Sequence, residues 1–210
     1  RITPLAQELN CLDKTRIADI CVNQIRRMVH AKWVSLYFLD EGSDILHLVR
    51  HNHPYLINNI VSLNQNTPSA MIKAVRSKEL IVLGGQKCGK GPRIGLNERQ
   101  YAGNYKTASC IIAPLICQGS VVGVLNLSEK ENAGQFTEGD IALIELCRQL
   151  VGASVGNVKL FEKTQYQART DGLTNLLNHK TFYEVLEKEL RRSQRYGGII
   201  SIIMVDIDNL

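Results

Sequence analysis

The chain is poor in the features that mark several large classes of protein. Only 6% of its 210 residues are aromatic, with a single tryptophan, and no basic segment is interleaved with aromatics. A nucleic-acid interface is therefore not expected despite a net charge of +5. The six cysteines, Cys11, Cys21, Cys88, Cys110, Cys117 and Cys147, form no C-x-x-C pair. That argues against a zinc ribbon or a disulfide framework, and for small apolar thiols in a reducing cytoplasm. No apolar run approaches the roughly 20 residues needed to cross a bilayer, and no secretory leader is expected among these residues. Because residue 1 is arginine, any membrane segment is expected upstream and none within the chain. The glycines of 84–91 lack the G-K-[ST] ending and following apolar helix of a phosphate loop.

What is present is periodic. A hydrophobic content of 44% suits a globular chain. Asp13 is placed to cap a helix in which Ile17, Ile20, Cys21, Ile25, Met28 and Val29 recur at three- and four-residue spacing. Trp33–Leu39 and Ile45–Arg50 are β-rich runs joined by Asp40-Glu41-Gly42-Ser43, a hairpin signal. Thr67-Pro68 reads as the cap and first turn of a helix through Val75, followed by a strand at Leu80–Leu83. Residues 84–105 form a long glycine-rich loop. Ala108–Cys117 and Val121–Leu127 are apolar on both faces, as strands between two layers are.

Thr137 and Asp140 form an acidic capping box at the head of a helical pattern that runs without proline to Arg169. Such a helix is about 45–50 Å long, more than one small domain covers. It carries two apolar stripes, one through Leu143, Leu146, Leu150 and Ala153. The other, through Ile144, Cys147, Val151, Val158 and Phe161, is expected to be the seam between two copies of a homodimer. A single bent core helix followed by a linker is the alternative.

His47, His51 and His53 read as sharing strand parity, but residues four apart on a strand lie about 13 Å apart, which leaves His51 and His53 within reach of one ion. A solvated or hydrogen-bonded group is the favoured reading. Cys88, flanked by lysines, is the thiol expected to be exposed and of lowered pKa.

The order helix, hairpin, helix, strand, loose loop, two strands and terminal helix resembles a GAF domain. So do Tyr105-x-Thr107-x-Ser109, Pro114-Leu115, Gly119, Val122-Gly123-Val124-Leu125-Asn126, and Lys130 through Phe136-Thr137-x-x-Asp140. The resemblance implies an α+β fold: a central antiparallel sheet with helices packed on one face and a ligand-pocket side on the other. A long C-terminal connecting helix and a partial α/β fragment then follow. Candidate pocket residues are Ser35, Tyr37, Ser109 and Ile111 on two strands, with Tyr101 and Tyr105 from the glycine-rich loop. A small-molecule effector is implied, of unnamed identity. For a cyclic nucleotide, the subgroup pattern N-K-xn-F-x3-D-E is met by Lys130, Phe136 and Asp140, whereas Glu129 and Ile141 depart from it. Lys130 reaching Asp140 over a buried Phe136 is expected to be a structural staple.

Thr170-Asp171-Gly172-Leu173-Thr174, Asn178-His179-Lys180-Thr181-Phe182 and the apolar run Ile199–Val205 closing on Asp206-Ile207-Asp208 resemble the start of a GGDEF domain, the module of diguanylate cyclases. That resemblance implies Mg²⁺ at Asp206 and the Ile207 carbonyl, and GTP phosphates near the backbone of Asn209 and Leu210. Asn175, His179-Lys180 and Asn209 depart from the usual residues. The hairpin that names the family is absent, so no catalytic set is complete and no turnover is expected from these residues alone. The expected organisation is a helical lead-in at 1–12, a GAF sensory domain at 13–156, a coiled-coil-like signalling helix at 157–170 and the opening of a GGDEF domain at 171–210. The implied function is sensory control of a cytoplasmic, dimeric diguanylate cyclase. Open alternatives are an inactive GGDEF receptor domain or a ligand-free GAF dimerisation unit.

Overall fold

A computed structural model describes residues 2–40, 42–65, 69–84, 109–131 and 134–207. Its contacts divide the chain into two units, 1–159 and 160–210.

The first unit opens with α1 (Ile2–Leu9) and α2 (Lys14–Ile20), continued by a π-helical turn (Cys21–Ile25) and α3 (Arg26–Met28). Asp13 caps α2, its carboxylate accepting from the backbone N–H of Thr15 at 2.8 Å and of Arg16 at 3.3 Å. Then come β1 (Ala31–Leu39), β2 (Ile45–His51), β3 (Ile60–Ser62), α4 (Ala70–Ser77), β4 (Ile81–Leu83), β5 (Cys110–Cys117), β6 (Ser120–Lys130) and α5 (Glu138–Arg169). The strands form one six-stranded sheet in the order β3-β2-β1-β6-β5-β4, with every pairing antiparallel. Gln118 and Gly119, at φ +48 and +77, make the two-residue turn between β5 and β6.

Each face of the sheet has its own core. On one, Val34, Leu36, Ile111, Ala113, Leu115, Leu125 and Leu127 pack with Leu5 and Leu9, with Ile17, Cys21 and Ile25, and with the inner face of α5. On the other, Tyr37, Leu46, Ile112 and Val124 pack with Ala70, Met71, Ala74 and Val75 around α4. Helices therefore dominate one side and α4 covers part of the other. The helix α5 sits close to the sheet: a Cβ on Gly152 would run into the Ile116 backbone, and one on Gly156 into the Cys117 side chain.

Several expectations change. Ile144, Cys147, Val151 and Val158, read as a seam between copies, are buried in the chain's own core. An amphipathic helix lying on a sheet satisfies its most continuous apolar stripe within the chain first. Phe161 alone of that set is exposed, at 41%. The cap of α4 is Ser69, whose Oγ accepts from the Ile72 N–H at 3.5 Å; Thr67-Pro68 lies outside the described residues. His47 and His51 do not share a face. The register shifts between Leu36 (opposite Arg50) and Tyr37 (opposite Leu48), leaving Val49 as a bulge that reverses the alternation beyond it. By length and composition α5 passes as a membrane span, yet its Ile144–Val158 face lies in the core, as in a packed helix.

In the second unit, the Asp171 carboxylate accepts from Leu173 N at 3.2 Å, Thr174 N at 3.0 Å and Thr174 Oγ1 at 2.9 Å, closing a tight turn. Asn178 caps α6 (His179–Tyr196), accepting from Thr181 N at 3.0 Å. Gly197, at φ +73, ends it. The apolar stripe of α6 is not buried: Phe182, Val185, Leu190 and Tyr196 are exposed and Leu186 is half-buried. Nor is Ile199–Val205 a strand, since it pairs with nothing among the described residues and Ile199, Ile203 and Met204 are 95%, 85% and 94% exposed. A strand exists only by pairing, however apolar its sequence.

Candidate functional site

A set of polar side chains lies on the sheet face away from α1, α2 and α5. Pairing brings Ser35 opposite Asn126 of β6 and His51 of β2, and Asn126 opposite Ile112 of β5. The next row sets Trp33 opposite Ser128, and Ser128 opposite Cys110. Residues so paired share a face. Ser35 and Ser128 are both buried.

A cluster of rings flanks this floor. Trp33 and His53 stack with centroids 5.8 Å apart, His51 lies 5.9 Å from His53, and Tyr55 lies 5.3 Å from it. The positions follow from the chain after β2. The Asn52 carboxamide accepts from Val34 N at 2.6 Å and donates to the Lys32 carbonyl at 2.9 Å, standing in for a strand partner. The His53 N–H then donates to His51 Nδ1 at 3.1 Å. That bond places the proton of neutral His51 on Nε2. Burial, with the neighbouring His51, holds the His53 imidazole below its ordinary pKa. Tyr37 donates to the Asn58 carbonyl at 2.9 Å, and burial pushes its phenol up to about 12 against the opposing effect of Ser35. This face thus gathers buried hydroxyls, an amide and imidazoles beside stacking rings, groups that suit a small polar or planar ligand.

Of the pocket residues read from sequence, Ser35 and Tyr37 lie on this face. Ile111 does not: it is buried in the helix-side core, and the Ser109 hydroxyl donates to the Gly134 carbonyl at 3.5 Å, near the start of α5. Strand alternation gives the positions one step along, Cys110 and Ile112, to the Tyr37 side instead. Tyr101, Tyr105 and Cys88 lie outside the described residues. Sequence reading missed Trp33, His51, His53 and Asn126 as a group, because strand order and the Val49 bulge bring them together. The described thiols are free, and burial pushes Cys147 up to about 11 and Cys110 to about 12. They pack as apolar groups.

At the head of α5, Lys130 Nζ hydrogen-bonds Asp140 Oδ2, and its ammonium lies 5.9 Å from the ring centre of buried Phe136. Asp140 Oδ2 also accepts from Thr137 N at 2.7 Å and Thr137 Oγ1 at 2.8 Å, while Thr137 Oγ1 accepts from Asp140 N at 3.2 Å. This reciprocal box ties the end of β6 to the helix start.

In the second unit, Asp206 is exposed and its Oδ1 accepts from Ile207 N at 2.9 Å. Asp208, Asn209 and Leu210 lie outside the described residues. No group of three metal-ligating side chains exists among the described residues. Among the described residues, Asp206 and the Ile207 carbonyl are the members of the implied magnesium set, and the Asp206 carboxylate faces solvent.

The GAF domain family model matches residues 13–155, covering the whole sheet and the head of α5. The chain belongs to the GAF domain family. The model of the diguanylate cyclase GGDEF domain matches residues 168–210. The GAF domain here thus precedes the opening of a diguanylate cyclase family domain. No curated protein matches the chain. Among solved structures, the GAF domain of an Acinetobacter phosphoenolpyruvate-protein phosphotransferase is 17% identical, over 75% of this chain and 91% of that one, with a TM-score of 0.59. The corresponding domain from Coxiella burnetii is 15% identical, over 76% and 93%, at 0.58. A free methionine-R-sulfoxide reductase from Neisseria meningitidis, solved with its substrate, is 19% identical, over 74% and 86%, at 0.55. At such identities the likeness is one of fold.

Proposed function

We propose that this chain is the sensory and coupling region of a cytoplasmic diguanylate cyclase, working as a homodimer. In this reading a small effector binds the Ser35–Tyr37–His51–Asn126 face of the GAF domain, and α5 carries the consequence to the GGDEF domain. That domain joins two GTP molecules into cyclic di-GMP when two copies meet. The observation that supports it is the continuity of α5: it is helical from Glu138, two residues after buried Phe136, to Arg169, inside the GGDEF match. A helix tied to the first unit by Lys130 and Asp140 and continuous into the GGDEF match is a physical link along which a change can be passed.

The test uses the natural protein that carries this chain, assayed for conversion of GTP to cyclic di-GMP. Replacing exposed Glu162-Lys163 by Gly-Pro breaks the helix outside the core. Basal turnover should change by about tenfold or more, and any effector response should vanish, as expected of a coupling of about 1.4 kcal/mol or more. Unchanged turnover with an intact response would remove α5 from the mechanism.

A further inference from the structure

The segment 53–57, which leaves β2 beside the polar face, is held at both ends by bonds that do not titrate near neutral pH. At one end, Asn52 donates its backbone N–H to the Val34 carbonyl at 3.2 Å, and its carboxamide bridges Val34 and Lys32. At the other, the Asn58 carbonyl accepts from the Tyr37 hydroxyl at 2.9 Å and the Asn59 carbonyl from the Leu48 N–H at 2.8 Å. Between these anchors, the His53 N–H donating to His51 Nδ1 at 3.1 Å is the one backbone hydrogen bond of 53–57 among the described residues. Burial adds little there, since Leu56 is 97% exposed and Tyr55 49%. A segment so lightly held opens locally at small cost.

A neutral imidazole takes its second proton on the nitrogen that has none. In His51 that is Nδ1, the atom already engaged by the His53 N–H. Charge on His51 and its bond to His53 therefore exclude each other, because protonation would set two N–H donors face to face. We propose that His51 and His53 form an acid-operated latch: neutral, they hold 53–57 against the sheet, and protonation of His51 releases that segment from the polar face. The latch needs the first unit only, so it stands apart from the coupling reading. An imidazole changes charge between pH 5 and 8, which sets the working range. His53 acts in the same direction. Burial and His51 hold it below 6.5 against the pull of Glu129, so its stabilisation is present above pH 6.5 and is lost as pH falls through the folded value. The charges nearest the pair, Lys32 of β1 and Glu129 of β6, engage each other at 3.0 Å. Arg50, next to His51 on β2, turns to the opposite face and pairs with Asp19 of α2 at 2.6 Å. Tyr37, Tyr55 and Cys110 are the other titratable groups on this side of the sheet.

The test is amide hydrogen exchange of the whole 210-residue chain, read by NMR at pH 8 and pH 5, with each rate divided by the intrinsic rate at that pH. Protection of the His53 N–H should fall about tenfold or more at pH 5, while amides of β5 and β6 keep theirs. In His51→Asn the amide oxygen takes the place of Nδ1 and carries no titrating proton, so protection should be equal at the two pH values. His53→Phe keeps a ring beside Trp33 and the backbone donor, and the fall should persist at residue 53. In the parent, the ¹⁵N shifts of the His51 ring should show the proton on Nε2 at pH 8, and loss of protection should track the titration of that ring. Equal protection of the parent at both pH values overturns the latch, as does a fall shared by β5 and β6, which is global unfolding. A fall that survives in His51→Asn, or vanishes in His53→Phe, overturns the role of His51. So does a loss displaced from the His51 titration, an outcome that needs no variant to fold.

Discussion

Removing the Asp140 carboxylate should release the head of α5 from β6, and the structure sets the size of the effect. Asp140→Ala loses the reciprocal cap with Thr137, worth about 1 kcal/mol. It also strands Lys130, whose side chain is 17% exposed against 12% for Asp140. Exposed pairs contribute about 0–1 kcal/mol, and breaking a fully buried one costs about 3–5; this pair, mostly but not wholly enclosed, falls near 2. The total is about 3 kcal/mol, or about 6–12 °C in melting temperature for a domain of this size. Urea unfolding followed at 222 nm measures it, with a double-mutant cycle through Lys130→Met isolating the pair at about 1 kcal/mol or more. The pH dependence has a definite sign. Burial raises the Asp140 pKa, but the hydrogen bonds from Lys130 and Thr137 outweigh it and hold the carboxyl below 3.8. Its stabilisation is therefore present above pH 3.8 and is lost as pH falls through the folded value, so Asp140→Asn should flatten the acid limb of the stability curve. A loss under about 1 kcal/mol for Asp140→Ala, or additive single variants, would refute the staple.

Other outcomes follow from local geometry. Gly152→Ala should destabilise by about 2 kcal/mol despite its helix-propensity gain of about 1, since the new methyl meets the Ile116 backbone; a more stable variant in urea would show that α5 can lift off the sheet freely. Tyr37→Phe should cost about 1 kcal/mol at neutral pH by stranding the Asn58 carbonyl. Between pH 10 and about 12 the unfolded phenol ionises while the folded one does not, so stability falls as pH rises and the variant should lose part of that fall; identical alkaline limbs would contradict it. Glu129 sits at φ +55, a conformation asparagine tolerates far better. Glu129→Asn should gain about 0.5–1 kcal/mol even with the surface pair to Lys32 lost, and no gain in urea midpoint would refute the strain.

The parts of the fold legible in sequence are those set by neighbours along the chain. The Asp13 cap, the β1–β2 hairpin and the Thr137/Asp140 box each depend on a few consecutive residues. What escaped depends on register. One unpaired residue, Val49, turned three histidines of apparently common parity into two groups on opposite faces, and a one-step slip on β5 exchanged Ile111 for Ile112. The choice between the two stripes of α5 was equally invisible, since spacing shows that a helix has two apolar faces but not which one the sheet takes. The apolar run at 199–205 reads as a strand because composition reports what a segment would bury, while its partners lie elsewhere.

Gly152 and Gly156 act as two notches that key α5 onto β5, one against the Ile116 backbone and the other against the Cys117 side chain. A rod seated in this way is blocked from piston-like sliding along its axis, since either notch would have to climb over a strand residue. In the coupling proposed above, a change passed along α5 would then take the form of a twist or a sideways swing about that seat.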